Sequence, residues 1–276
     1  MFPESYKCYK SCAVVLRFLY FFIFCNISHN VFIMLSYLLN VMSSNSLKIL
    51  IIRVDGLIIP FDYNYYVAIN IYDKLSLYND NIRKIHDKQS FSLHTFSNII
   101  SKSQKSGING LDIPSGFIIF RSLDSRLINY LRLGISLNPV IQIVNTKYLV
   151  KAVYDWRGLD TPSAFNFRTL SPVLVRDFNS KKRYVEDPSD VRDNLLATTE
   201  WQMKNLFNIE NPDMNIDIKN IKRKTVRISS REESISKTVG FEFEGRIEGD
   251  PAALKIAYYR GLGSKTGLGL GLVEVV

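Results

Sequence analysis

Cysteine is nearly missing from this chain. The three present, Cys8, Cys12 and Cys25, all fall in the first 25 residues. The rest can form no internal disulfide, no thiolate-ligated zinc site and no cysteine nucleophile. Histidine is almost as scarce. Beyond residue 41 only His86 and His94 remain, too few for a His-rich metal site. A body without disulfides fits a reducing compartment, so a cytoplasmic location is expected. Acid is outnumbered by base, 26 Asp and Glu against 35 Lys and Arg, for a formal charge of +9 and a pI near 9.3. That balance favours a polyanionic partner, nucleic acid or an anionic membrane surface. At 46% apolar and 22% charged the chain is too apolar to be wholly disordered. Its 276 residues leave room for two domains of roughly 100–200 residues each.

Residues 1–41 differ in character from the rest of the chain. An apolar run from Ala13 to Cys25 is interrupted by Arg17, and a second runs from Val31 to Val41. Neither reaches the ~18–20 residues a spanning helix needs. Lys7 and Lys10 precede the first run as in a signal peptide or anchor, but no small-x-small cleavage site comes after it. A buried helix is a second reading, although the pattern is apolar nearly all round. The third, which we expect, is that the working protein begins at Met42, directly before a strand-like run. Without Glu4, Lys7, Lys10 and Arg17 the charge is +9 less 2, or +7.

The body reads as alternating strands and helices. Leu47–Val54 is an Ile-rich central strand. Asp62 is the expected N-cap of a helix from Tyr63 to about Tyr78, with Ala68, Ile71, Leu75 and Tyr78 inward. Phe91–Phe96 is a strand, Lys102–Gly110 a loop and Gly116–Ser122 a strand. Asp124 caps a helix through about Leu137, and Val140–Tyr154 supplies a last strand or hairpin. After a linker at 155–165 the order repeats. Phe167–Arg176 is a strand and Pro188 to about Phe207 a helix with proline at its start. Asn215–Arg231 and Ile235–Ile247 form a long basic strand pair. Asp250-Pro251 opens a helix to about Arg260, and Leu268–Val275 closes the sheet. The fold class is α+β, two tandem ferredoxin-like βαββαβ domains over residues 42–157 and 165–276.

Five of the fourteen glycines fall between 261 and 271, at Gly261, Gly263, Gly267, Gly269 and Gly271. A dinucleotide or Walker loop follows a strand and opens a helix. This loop follows a helix and precedes the final strand, so NAD and ATP readings fail. Two readings remain open. The loop offers backbone N–H groups and Lys265 to an anion, or it is a turn that lets the last strand pack tightly.

The run Tyr258-Tyr259-Arg260-Gly261-Leu262-Gly263-Ser264-Lys265-Thr266-Gly267-Leu268-Gly269-Leu270-Gly271 resembles the C-terminal signature of the CRISPR-associated repeat-RNA endoribonucleases of the RAMP superfamily. Asn64-Tyr65-Tyr66 with Ile71-Tyr72, Leu93–Ser97, Leu137-Asn138-Pro139 and Thr169–Val173 resemble other segments of that family. The likeness spans nearly all of the body and none of residues 1–41. It implies two ferredoxin-like domains, no cofactor and no metal. It also implies cleavage of precursor CRISPR RNA within the repeat, by attack of a ribose 2′-OH on the adjacent phosphate to leave 2′,3′-cyclic phosphate and 5′-OH ends. Such chemistry needs a base, an acid and positive charge on the phosphorane.

The resemblance assigns the catalytic histidine to His86 and a catalytic tyrosine to Tyr72. Some members carry a lysine where this chain has Ser92, which cannot neutralise a phosphorane; Lys84 or Lys88 are candidates to replace it. His94 is the second histidine candidate, read as structural or base-stacking. Basic residues cluster at 181–183 and at Lys219, Lys222, Arg223, Lys224, Arg227 and Arg231. Alternation puts Lys222 and Lys224 on one face, for phosphate contact or as a solvated edge. The resemblance suggests that repeat RNA crosses the glycine loop (Gly261, Gly263, Lys265, Gly267, Gly269) and the hairpin at Lys222, Lys224, Arg227 and Arg231. Expected partners are the repeat RNA, an effector complex that receives the product, and a second copy of the chain, with no membrane. The rival readings are a non-catalytic repeat-RNA-binding scaffold and a membrane-anchored protein. No aromatic pair resembles the stacking motif of a standard RNA-recognition module.

Overall fold

A computed structural model describes residues 44–77, 92–156, 158–159, 163–178, 183–229 and 235–276, apart from the side chains of 227, 229, 235 and 236. The expectations for residues 1–41, Tyr78, His86, Lys84, Lys88, Lys181, Lys182 and Arg231 lie outside the described residues.

The first sheet is built around β1 (Ser46–Asp55), whose Leu47, Ile49 and Ile51 alternate into the core at 0–2% exposure. It pairs antiparallel with β5 (Ser115–Ser122) and β7 (Thr146–Asp155). The edges are β2 (His94–Phe96) and β6 (Val140–Ile143), giving the order β2-β5-β1-β7-β6. Helices α1 (Asn64–Ser76) and α2 (Ser125–Leu137) bring Ile71, Leu75, Ile128 and Leu131 to the same core. Asp124 caps α2 as expected, accepting from the Arg126 N–H at 3.0 Å. Asp62 does not cap α1. Tyr63 N–H bonds back to Pro60 O, so Asp62 sits inside a turn that runs straight into the helix, and Tyr63 takes the cap position without a side-chain bond. The segment expected to be a loop holds one short pairing, β3 (Lys105–Ser106) with β4 (Leu111–Asp112).

The second sheet has the order β11-β8-β10-β9. Strand β8 (Ala164–Thr169) stops before Pro172, which brings no N–H to a ladder. The expected strand to Arg176 therefore breaks into single bridges, Val173 to Phe241, Leu174 to Ser264 and Arg176 to Tyr184. A 3-10 turn at Pro188–Asp190 leads into α3 (Val191–Phe207). Strands β9 (Met214–Ser229) and β10 (Ile235–Gly249) form the long hairpin, with a bulge between Glu242 and Glu244. Asp250 caps α4 (Pro251–Lys255), which continues as a π turn over Ile256–Arg260. The closing strand β11 is only Val273–Val275, because 266–268 coil into a 3-10 turn. Each sheet has the strand order that a βαββαβ chain produces, so the fold is two tandem ferredoxin-like units.

Arg121 joins the two units. It leaves β5 at 1% exposure, donates to Val273 O at 2.5 Å and Tyr258 O at 3.4 Å, and lies 3.7 Å from the Tyr258 ring centre. Burial lowers its pKa to about 10. Among the described residues no helix is long and apolar enough to cross a membrane.

Candidate active site

The glycine loop sits where the two units meet. On the second unit, Ser264 N–H bonds Leu174 O at 2.7 Å and Gly271 N–H bonds Pro172 O at 2.9 Å. On the first, Thr95 Oγ1 donates to Leu270 O at 2.9 Å and Asn64 Nδ2 to Gly269 O at 3.2 Å. Two glycines are required by what they touch. Gly269 has φ +76°, and a Cβ there would lie 2.3 Å from the Phe96 ring. A Cβ on Gly267 would lie 2.5 Å from the Tyr72 hydroxyl and 2.8 Å from Ser92 Oγ. The N–H groups of Gly261, Leu262, Ser264, Leu268, Gly269 and Gly271 bond carbonyls of the protein, and Gly263 O accepts from Gln202 Nε2 at 3.0 Å. Close packing thus accounts for most of this backbone, and Lys265 carries the loop's charge.

Gly267 abuts a connected group of side chains. Tyr72 projects from α1 and hydrogen-bonds the Ser92 side chain. Ser92 Oγ lies 3.1 Å from His94 Nδ1 and donates to His94 O at 2.9 Å. A hydroxyl has one proton. That proton can serve the His94 carbonyl or the Tyr72 oxygen, and the His94 backbone N–H reaches Oγ at 3.3 Å. The His94 ring is buried at 4% exposure, edge-on to Tyr72 and tilted on Phe120, both at 5.3 Å between centres. Burial pushes the Tyr72 phenol up to about 12, against the opposing pull of its bond to Ser92. Ionising it at neutral pH would cost about 7 kcal/mol, so Tyr72 is a neutral phenol there.

These residues form one wall of a cleft of about 660 Å³. The facing wall comes from α3 and from the two segments bridged at Arg176 and Tyr184. The described lining includes the cations Arg176, Arg183, Arg260 and Lys265 and a single carboxylate, Asp124, which is already engaged by Arg126 at 2.8 Å. Burial and then the nearby Arg183 charge depress the Lys265 amine. Arg260, buried at 3% exposure, donates to Gln202 Oε1 at 2.9 Å, and burial lowers its pKa to about 10. Crowded cations with little acid beside them are stabilised by an incoming anion.

The hairpin cations are placed elsewhere. Lys222 and Lys224 are exposed on β9 and do not line this cleft. Lys224 pairs with Glu242 at 3.2 Å, Lys222 lies opposite Glu242 and Lys219 opposite Glu244, so cross-strand glutamates offset part of the strand's charge. Arg227 lies opposite Lys237 in the ladder. Of the residues singled out from the sequence, the structure brings Tyr72, Ser92, His94, Arg183, Lys265 and Gly267 together. Sequence reasoning missed Arg176, Phe178, Tyr184, Trp201 and Arg260. The available signal was weak: Arg176 and Phe178 alternate after Pro172, and Thr198, Trp201 and Gln202 share a helical face.

The family model described as CRISPR associated protein Cas6, N-terminal, matches residues 58–154, and that described as CRISPR associated protein Cas6, C-terminal, matches residues 159–275. The chain is 24% identical over 227 residues to the CRISPR-associated endoribonuclease Cas6 1 of Methanocaldococcus jannaschii, covering 78% of this chain and 87% of that protein. It is 27% identical over 236 residues to a CRISPR-associated endoribonuclease-like protein Cas6 of Pyrococcus furiosus, covering 80% of this chain and 94% of that one. Among solved structures it is similar in fold to one described as a RAMP protein binding different RNA substrates, with TM-score 0.72, 24% identity, and coverage of 84% of this chain and 99% of that one. With both halves matched, the chain belongs to the Cas6 family of CRISPR-associated proteins.

Proposed function

We propose that the protein is an endoribonuclease that cuts precursor CRISPR RNA within its repeat, in the cleft between Tyr72 and Lys265, without a metal ion. The ribose O2′ forms a bond to phosphorus, the P–O5′ bond breaks, the O2′ proton passes to a base and an acid returns a proton to O5′. The products are a 2′,3′-cyclic phosphate and a 5′-OH. The observation that carries the reading is the Tyr72–Ser92–His94 group pressed on Gly267 in a cleft rich in cations and nearly free of carboxylate. A neutral Tyr72 orients the 2′-OH, and Lys265 with the neighbouring arginines offsets the phosphorane charge. Tyr72 keeps its own proton at neutral pH and so cannot take another, and His94 is buried. The acid–base role therefore stays with His86, as the family resemblance assigns it. A described lining with one carboxylate, already engaged, suits a reaction that recruits no divalent cation.

The test uses the full chain, the repeat RNA of its host and excess EDTA. The expected result is cleavage to a cyclic-phosphate end, lost in His86→Ala and slowed in Tyr72→Phe while RNA binding persists. Cleavage that requires Mg²⁺ would overturn the metal-free mechanism. Tight binding without cleavage by the unaltered protein would favour the scaffold reading.

A further inference from the structure

The wall of the cleft opposite Tyr72 is aromatic as well as basic. Arg176 lies 5.4 Å from the Phe178 ring centre and 5.8 Å from that of Trp201, and Arg183 lies 5.5 Å from Tyr184. All five line the same cleft as Tyr72 and Lys265. Phe178 and Trp201 keep 41% and 37% of their surface exposed, unusual for large rings on the inner wall of a cleft. They are also held in place. Val185 N–H bonds Val175 O at 3.0 Å and Asp177 N–H bonds Arg183 O at 3.3 Å, so the two segments run as a paired ribbon. The Phe178 N–H donates to Asn194 Oδ1 at 2.9 Å, and Asn194 is a buried residue of α3, two turns before Trp201. The rings therefore stand on a fixed frame, with flat faces beside guanidinium groups.

We infer that Trp201 and Phe178, with Arg176 and Arg183, form a stacking subsite for an unpaired base of bound RNA next to the reacting phosphate. Exposed aromatic planes beside arginines suit single-stranded nucleic acid: the base stacks on a ring while the cations meet the flanking phosphates. A protein side chain would leave the charges of Arg176, Arg183 and Lys265 unmatched unless it were acidic, and would leave the flat faces poorly used. The subsite fixes a nucleotide beside the cleft, independently of the hairpin at Lys222. The inference rests on the proposed RNA substrate, and the test separates the two.

The sequence holds two tryptophans, so Trp156→Phe in the full chain leaves Trp201 as the sole indole emitter. The probes are an oligoadenylate of about 12 nucleotides, a length within the usual site sizes for single strands, and the same ribose–phosphate backbone with abasic sites. Oligoadenylate is expected to quench Trp201 emission saturably, and the abasic strand to bind more weakly without quenching. Trp201→Leu should weaken oligoadenylate binding about five- to a hundredfold, and Trp201→Phe should restore most of it. The emission arm keeps Trp201 and does not depend on how the Leu variant folds. If RNA binds and repeat RNA is cut while Trp201 emission stays unchanged, the subsite is wrong and the nuclease reading stands. If no RNA binds, both fall.

Discussion

Gly267→Ala tests the link between the glycine loop and the proposed chemistry. The new Cβ would stand 2.5 Å from the Tyr72 hydroxyl and 2.8 Å from Ser92 Oγ, where ordinary contact begins near 3.4 Å. Both must give way, the Tyr72 hydroxyl by about 1 Å, and a misplacement of that size at a reacting group costs on the order of 10²-fold in rate, or about 2.7 kcal/mol of barrier. The backbone itself does not object. Gly267 is not among the residues with positive φ, so alanine costs nothing there conformationally and restricts the unfolded chain by about 0.4–1 kcal/mol. Single-turnover cleavage of repeat RNA at saturating protein, at a temperature where the variant is folded, should fall about a hundredfold. In a Tyr72→Phe background the nearer clash is gone and only that with Ser92 Oγ remains, so the same alanine should cost less, and the two changes should be non-additive. Full activity in Gly267→Ala, or an equal loss in both backgrounds, would refute the idea that this contact borders the reacting centre.

Ser92→Ala cuts the connection between Tyr72 and His94 and should slow single-turnover cleavage roughly tenfold, the effect of losing about 1.4 kcal/mol of transition-state stabilisation; an unchanged rate would leave the serine no part in positioning Tyr72. Alkaline melting should expose the buried phenols. Tyr72 and Tyr148 are both pushed up to about 12 by burial. From about pH 10, the ordinary tyrosine value, the unfolded chain releases protons that the folded one keeps, so stability falls as pH rises to 12. A melting temperature flat from pH 9 to 11.5 would contradict this. Lys74 acts in the opposite sense. Burial lowers its pKa to about 8 from 10.5, so between those values the unfolded chain holds the extra proton and stability rises with pH, a rise that Lys74→Met should remove. Arg121→Met leaves the Val273 and Tyr258 carbonyls without their donor and should cost about 3 kcal/mol in denaturant unfolding; a neutral result would mean that the carbonyls find water.

Much of the fold was legible because its signals are local. Leu47, Ile49 and Ile51 alternate as a half-buried strand must, Asp124 opens α2, and Asp250-Pro251 opens α4. The order of elements around the glycine loop was enough to set aside nucleotide-binding loops. What failed depended on partners distant in sequence. Asp62 has the right chemistry for a cap, but the turn from Pro60 carries the chain past it. The strand after Phe167 stops before Pro172, and its pairing with β10 resumes in a register shifted by two, from Arg168 opposite Glu244 to Val173 opposite Phe241. Ser92 read as a lost lysine and stands instead between Tyr72 and His94. Arg176 and Trp201 carry no motif; only the packing of α3 against the paired ribbon brings their groups to 5.8 Å.

The most direct measurement replaces one ribose. The full chain, in EDTA, is expected to cut its repeat RNA. A repeat with a single 2′-deoxynucleotide on the 5′ side of the scissile phosphate should stay intact at that position while binding equally well. Cleavage at the same phosphate in the deoxy-substituted strand would contradict the mechanism, because the attacking oxygen would then have to come from elsewhere.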